Sequence, residues 1–382
     1  VQNNTCIKPP KVKIKAFGGI KMKKIDRKNL GLTEKQLQES IAYKNLLIGR
    51  VSSQSKNLYK VITENGEWTA EISGKFRHGV EDLRDYPAVG DFVMVDRIDN
   101  SQGHIIIEHV LNRKSIFARK TAGTAHDTQV IAANIDTVFI CMSLNNDFNL
   151  RRLERYLSVA WDSGATPVIV LTKADLCTEI AARLREVSTI AIGVDVLVTT
   201  SLSNDGYQTL KKYLAQGQTV AFLGSSGVGK STLINRLLGQ SFLDTGEIRN
   251  DDKGRHTTTR RELIILPDSG VVIDTPGMRE LGIISADISK SFADIAELAA
   301  KCRFSDCTHK SEPNCAVKQA INEGLLSQER LESYWKLKKE MKYERLNSKQ
   351  IEKEKIHDMF NEVGGMKNAR KYIKQKNKSK GR

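Results

Sequence analysis

A parallel α/β nucleotide-binding domain, preceded by a small β-barrel and followed by a helical metal-binding segment, is the architecture this sequence predicts. Three observations carry that prediction. From Asp136 onward, apolar runs of buried-strand type alternate with helical patterns (IDTVFICMSL, PVIVLTKAD, VDVLVTTS, TVAFLG and GVVIDTPG are the runs), as in a parallel sheet flanked by helices. Gly224-Ser-Ser-Gly-Val-Gly-Lys-Ser231 follows one of these strands and opens a helical pattern, STLINRLL. Cys302, Cys307, His309 and Cys315 crowd into a segment with few apolar residues.

At 382 residues the chain is too long for one core, so two or three domains are expected. A 40% hydrophobic and 27% charged composition excludes a disordered chain, and no apolar run is long enough to span a bilayer. No secretory leader is apparent, and six unevenly spaced cysteines do not form a disulfide framework. A reducing, cytoplasmic setting is expected. The net charge of +15 is concentrated at the ends. Residues 1 to 30 carry nine Lys or Arg against Asp26, and residues 366 to 382 carry eight with no acid, so the body between them is near neutral. Basic arms of this kind suit phosphate neutralisation on a nucleic acid; solvated tails that only aid solubility are the plainer reading.

Between Leu46 and Arg113 the chain reads as short strands broken by turns: LLIGRVSS, LYKVIT, the Asn65-Gly66 turn, EWTAEISG, VGDFVMVDRI and HIIIEHVL. That density of short strands predicts a small closed barrel. Tyr59, Trp68, Phe76 and Phe92 are candidate base-stacking platforms, with core packing the expected fate of most. Leu150, Leu153, Leu157 and Trp161 share a helical spacing that ends at Gly164, and a helix is expected from about Glu329 to Tyr343. There the stripe Leu331, Tyr334, Trp335 and Met341 reads as packing.

The strand–turn–helix setting makes 224–231 a phosphate-binding P-loop. Its glycines let backbone N–H groups face phosphate oxygens at a helix N-terminus. The nucleotide-holding set is Gly224, Ser225, Ser226, Gly227, Val228, Gly229, Lys230, Ser231 and Thr232, with Lys230 reaching the β- and γ-phosphates and Ser231 a Mg²⁺ ligand. Thr172-Lys173-Ala174-Asp175 ends a buried strand, where open parallel sheets bind ligands. A carboxylate at Asp175 can accept from guanine N1–H and the exocyclic amine, a donor pair that adenine lacks, while Lys173 lays its stem over the base. Thr200-Ser201 is a loop able to bring a backbone N–H to guanine O6, so Ser201 joins the candidate set.

Asp274-Thr275-Pro276-Gly277 ends a further strand; Asp274 would hold Mg²⁺ through a water, and Gly277 would sense the γ-phosphate through its N–H. In the loop Gly254-Arg-His-Thr-Thr-Thr-Arg260, Thr258 is the candidate to coordinate Mg²⁺ when the γ-phosphate is present. Met278 stands where Ras-like enzymes place a water-orienting glutamine, so slow intrinsic hydrolysis is expected. His256 is the nearby side chain able to place a water, or is a loop residue without a catalytic part. The base-reading Asp175 precedes Gly224, the reverse of the usual order, so the strand ending in DTPG leads directly to the C-terminal segment. Loss of γ-phosphate is expected to be transmitted along that connection. Three thiolates and an imidazole at 302, 307, 309 and 315 can close a tetrahedral Zn²⁺ site with no place for water, hence a structural one; scattered buried cysteines are the plainer reading.

With these motifs in this order, together with VGDFV, RKSIFARK, NIDTVFI and DTPGMRE, the chain resembles the bacterial ribosome small-subunit-dependent GTPases, a circularly permuted family of ribosome-assembly factors (the RsgA family). The resemblance implies an α/β P-loop GTPase domain, circularly permuted, with an N-terminal OB-type β-barrel and a C-terminal α-helical zinc-binding domain. Placed on this chain, it gives a basic extension at 1–44, the barrel at 45–115, the GTPase domain at 116–290, the zinc domain at 291–346 and a basic tail at 347–382. It further implies GTP/GDP, Mg²⁺ and one structural Zn²⁺, and hydrolysis stimulated by the small ribosomal subunit late in its assembly. The partners would be that subunit and its rRNA, with no membrane, no DNA specificity and a monomeric state. Thr172 departs from the Asn of the general NKxD pattern. A nucleotide-gated RNA-binding module with incidental turnover, and a P-loop ATPase acting on RNA, are the competing readings; Asp175 argues against the second.

Overall fold

The computed structural model of the chain describes residues 27–55, 57–99, 103–120, 128–203, 205–239, 262–266, 269–274, 288–344, 350 and 353. A single turn at Arg27–Leu30 leads to helix α1, Glu34–Ser40, which Thr33 starts through a reciprocal capping box with Gln36. The Gln36 side chain is buried and donates to the Asn112 carbonyl at 2.8 Å and to Asn134 Oδ1 at 3.1 Å. Part of the segment assigned from sequence to a basic extension is thereby packed against the body.

The alternating runs become β1 (Leu47–Ser55), β2 (Leu58–Thr63), β3 (Gly66–Ile72), a short helix α2 (Gly74–Gly79), β4 (Phe92–Val95) and β5 (Ile105–Val110). Their order, β1-β2-β3-β5-β4 and back to β1, closes a five-stranded barrel in which β3 and β5 run parallel and the other pairs antiparallel. This is the closed form expected of an OB-type barrel. Val51, Tyr59, Val61, Ala70, Val93, Val95, Ile105 and Ile107 fill it. Phe92 is also buried, so two of the four candidate stacking aromatics are core residues.

A hairpin of β6 (Ile116–Lys120) and β7 (Thr128–Ala133) joins the barrel to the α/β domain. That domain contains β8 (Thr137–Ser143), α3 (Leu150–Ser163), β9 (Thr166–Thr172), α4 (Ile180–Ser188), β10 (Asp195–Val198), α5 (Asp205–Lys211), β11 (Thr219–Gly224), α6 (Lys230–Leu238), β12 (Glu262–Ile265) and β13 (Val271–Asp274). Its strands lie in the order β10-β9-β8-β11-β13-β12, parallel except for β12. Strand β11 has β8 on one side and β13 on the other, which makes its C-terminal end the topological switch point. A bulge between Val51 and Ser53 bends β1 out of the barrel, and Ser53 pairs with Glu262 of β12. Barrel and α/β strands therefore form one continuous sheet.

The C-terminal part has α7 (Ala293–Ala299), α8 (Ala316–Asn322) and α9 (Gln328–Glu344), the last close to its expected span. Leu331 and Met341 are buried in α9, with Tyr334 and Trp335 partly so, in keeping with a packing stripe. Among the described residues, no helix is long and apolar enough to cross a membrane.

The junction is polar. Arg50, 0% exposed, donates to the carbonyls of Gly90 at 3.1 Å, Asn134 at 3.3 Å and Leu30, and lies over the Phe92 ring. Arg50→Met should destabilise the fold by about 3 kcal/mol, since it strips donors from buried carbonyls and removes the counter-charge near Asp91. Urea unfolding should show this as a lower midpoint at unchanged slope; an unchanged midpoint would mean the junction does not need the charge.

Candidate functional site

The P-loop leaves β11 at Gly224, whose φ of +156° and tight surroundings exclude a side chain: an added Cβ would lie 2.5 Å from the Cys141 carbonyl. Gly227 and Gly229 also have positive φ, and Gly229 caps α6 from the left-handed region. Lys230, first residue of α6, folds back so that its ammonium donates to the carbonyls of Gly224 at 2.9 Å and Ser225 at 2.6 Å. Backbone N–H groups at a helix start, with an ammonium bridging the loop, fit a polyphosphate.

Asp274 ends β13, the parallel neighbour of β11. Burial pushes its carboxyl up to about 6; Lys230 opposes the shift, and Glu262, its register partner on β12, adds to it. A half-buried carboxylate on the strand next to the one that leads into the P-loop suits a divalent cation, and Ser231 and Asp274 are candidates to hold it. His256, Thr258, Gly277 and Met278 lie outside the described residues.

The residues expected from sequence to read the base come to the same end of the sheet from β9 and β10. Thr172 is buried and its hydroxyl donates to the Val228 carbonyl at 2.6 Å, so the residue expected among the nucleotide contacts ties β9 to the P-loop. Lys173 sits in the left-handed region at φ +56°, which starts the turn carrying Asp175. The Thr200 hydroxyl donates to Asp175 Oδ1 and accepts from the Leu202 N–H at 3.1 Å. This aligns one carboxylate oxygen and shapes the loop at Ser201.

Two arginines that sequence reading did not single out hold these loops. Arg152 on α3 donates to Ser225 Oγ at 2.9 Å and pairs with Asp147. Arg236 on α6 donates to the carbonyls of Ser203 at 2.9 Å and Ser201. Arg152 sits among the charged residues of α3, Arg236 is isolated on the mostly uncharged α6, and the partners of neither form a local pattern in the sequence.

Cys302, Cys307, His309 and Cys315 converge, their ligand atoms all within 4.8 Å of one another. Cys302 and Cys315 sulfurs are 3.9 Å apart, and His309 Nδ1 lies 3.7 and 3.5 Å from them. A tetrahedron with Zn–S near 2.3 Å and Zn–N near 2.0 Å has edges of roughly 3.5–3.8 Å, so the donor set fits zinc. Burial raises the Cys302 thiol, but hydrogen bonds from the Ala316 and Val317 N–H groups at the start of α8 and from the Cys315 and Cys307 thiols together bring it below its usual value. His309 adopts φ +63°, and the following loop is tied by Glu312, which accepts from the N–H groups of Thr308, Lys310 and Ser311.

Residues 110–284 match the family model described as RsgA GTPase. The small ribosomal subunit biogenesis GTPase RsgA 2 of Lactiplantibacillus plantarum is 53% identical over 331 residues, covering 86% of this chain and 92% of that protein. The chain belongs to the RsgA GTPase family. It is accordingly a GTPase with a circularly permuted domain. The RsgA of Methanosarcina acetivorans is 43% identical over 83% of this chain and 87% of its own length. Among solved structures, YjeQ from Thermotoga maritima superposes with a TM-score of 0.57 at 29% identity, over 77% of this chain and 98% of that one. YloQ, described as a circularly permuted GTPase, gives the same TM-score at 24% identity over 80% and 98%, a likeness of fold. A model described as ABC transporter also matches residues 207–381; the P-loop within that span is common to many nucleotide-binding families.

Cys307→Ser should lower bound zinc by about one equivalent and destabilise the segment containing α7 to α9. Metal analysis of the purified variant is the check, and full zinc content would remove Cys307 from the ligand set.

Proposed function

We propose that this GTPase acts late in assembly of the small ribosomal subunit, bound to its rRNA in one nucleotide state and released when GTP is hydrolysed. The observation that carries the reading is the meeting of the P-loop and the Asp175 loop at one switch point, in a chain whose relatives are named small ribosomal subunit biogenesis GTPases. We assign base contact to Lys173, Asp175 and Ser201, phosphate contact to the 224–232 backbone and Lys230, and Mg²⁺ to Ser231 and Asp274. The bound Mg²⁺ would neutralise charge on the phosphates. Lys230 would leave its two carbonyls for the phosphates, and the P-loop N–H groups would favour the charge that develops on the transferred phosphoryl group.

Hydrolysis in the free protein is expected to be slow, because Met278 cannot orient a water as a glutamine does. His256 and Thr258 are the sequence candidates to complete the site once the subunit is bound. Zinc at 302, 307, 309 and 315 is read as structural, since three thiolates and an imidazole fill a tetrahedron. We take the divisions 1–44, 45–115, 116–290, 291–346 and 347–382 as the working domain scheme, and a cytoplasmic monomer as the working form.

GTP and ATP turnover, with and without small ribosomal subunits, tests the reading. Slow GTP hydrolysis that rises strongly with the subunit, with little use of ATP, is the expected result. Equal use of ATP, or no response to the subunit, would break the assignment of base or of partner. Deleting 366–382, which carries eight basic residues and no acid, should weaken RNA binding and flatten its dependence on salt. A salt slope identical to that of the full chain would show that the tail touches no phosphates.

A further inference from the structure

We propose that Arg236 is the positioning residue for guanine selection: it fixes the 199–203 loop so that the Ser201 N–H cannot turn away from the base. The inference rests on the reading of Asp175 and Ser201 as the base contacts.

The loop follows β10 and makes a tight bend at Thr200, whose hydroxyl joins Asp175 to the Leu202 N–H. The bend takes the carbonyls of Ser201 and Ser203 out of the sheet ladder, and each needs another donor. Arg236, in the last turn of α6, supplies both. Its Nη1 donates to Ser203 at 2.9 Å and its Nη2 to Ser201, so one planar fork spans the loop. The guanidinium carbon itself lies 4.4 Å from the ring centre of Tyr207, a buried residue of α5.

The start of the loop is pinned from the other side. A Cβ on Gly206 would lie 2.5 Å from the Val198 carbonyl and 3.0 Å from Thr199 Cα, so α5 sits directly against it. Ser201 is therefore fixed upstream through Thr200 and downstream through its own carbonyl. The helix that begins at Lys230 on the phosphate loop thus reaches the 199–203 loop through Arg236 in its last turn.

Rigidity is what selection needs here. Guanine presents an acceptor at O6, whereas adenine presents an amino donor at the same place. A fixed N–H donates to the first and repels the second. A loop free to rotate a peptide could offer a carbonyl to adenine instead, and discrimination would fall even if binding survived. Arg236 loss is thus expected to change the ratio of affinities, not simply to lower all of them.

The test uses the full chain with Arg236→Gln and Arg236→Lys, and measures GDP and ADP dissociation constants alongside thermal stability. Loss of two charge-assisted hydrogen bonds should weaken GDP binding about tenfold while ADP binding holds or improves, so the GDP-over-ADP preference falls about tenfold in Arg236→Gln. Arg236→Lys keeps the charge but lacks the fork, and should lie between that variant and the parent. If Arg236→Gln does not fold, the same ratio in Arg236→Lys decides. A preference unchanged from the parent in the folded variants, with or without a loss of affinity or stability, would overturn the proposal and leave Arg236 a structural brace. No preference for GDP over ADP in the unaltered protein would instead overturn the base assignment itself.

Discussion

The arrangement of barrel and GTPase sheet depends on one buried charge. Burial lowers the Arg50 pKa only to about 10, with Asp136 and Asp91 opposing the shift, so the guanidinium is charged at neutral pH. A lone charge in that position would be untenable. It is tolerated because carbonyls from three parts of the chain converge on it: Leu30 ahead of α1, Gly90 in the barrel, and Asn134 between β7 and β8. Asp91 is buried beside it and paired with Arg113 at 2.6 Å. Asn134, at φ +58°, closes the network by donating to Gly90 and accepting from Lys114 and Gln36. An apolar junction would let the barrel slide over the sheet; directional bonds to a fixed fork leave one orientation.

That orientation matters because of how the permuted chain builds its site. The parallel sheet requires only that strands be neighbours in space, so β8, β9 and β10 can precede β11 and still flank it. The P-loop, the loops after β9 and β10, and Asp274 meet where the order of connections reverses. Loops distant in sequence are fastened to one another there by side chains. Thr172 to Val228, Thr200 to Asp175 and Arg236 to the Ser201–Ser203 carbonyls are those fastenings.

The sequence was most legible where chemistry is local. The P-loop, the buried strands, the α9 stripe and the Cys/His spacing each follow from a short window of residues, and all took the expected form. What was not legible is the side-chain bracing. Nothing in the window around Arg236 or Arg152 distinguishes a structural guanidinium from a solvated one. Thr172 illustrates the intermediate case: the motif drew notice to the position, but only the fold reveals that its hydroxyl is spent on the P-loop carbonyl. Gln36 and α1 were hidden because the charge run dominated the reading of the N-terminal segment, although Thr33 and Gln36 spell a capping box.

Helix α3 shows what that bracing achieves between domains. One side of it, at Arg152 and Tyr156, reaches Ser225 of the P-loop at 2.9 and 3.5 Å. Adjacent positions reach α9: Arg151 donates to the Glu329 carbonyl and Ser333, Glu154 receives Arg330 at 2.8 Å, and Arg155 pairs with Glu340 at 2.6 Å. Arg330 is buried, and also holds Asp294 and the Ser291 carbonyl at the entry to α7. The Glu154–Arg330 pair is sequestered from solvent, so separating it leaves two charges in a poor dielectric and favours all-or-none docking over gradual loosening. The Arg155–Glu340 pair, only part-buried, contributes less. The segment after DTPG is therefore not the sole physical connection between the phosphate site and the zinc-binding segment. A helix whose first turn touches the P-loop is bolted to α9 through a buried ion pair, and a movement of Ser225 is met first by α3 and then by Arg330.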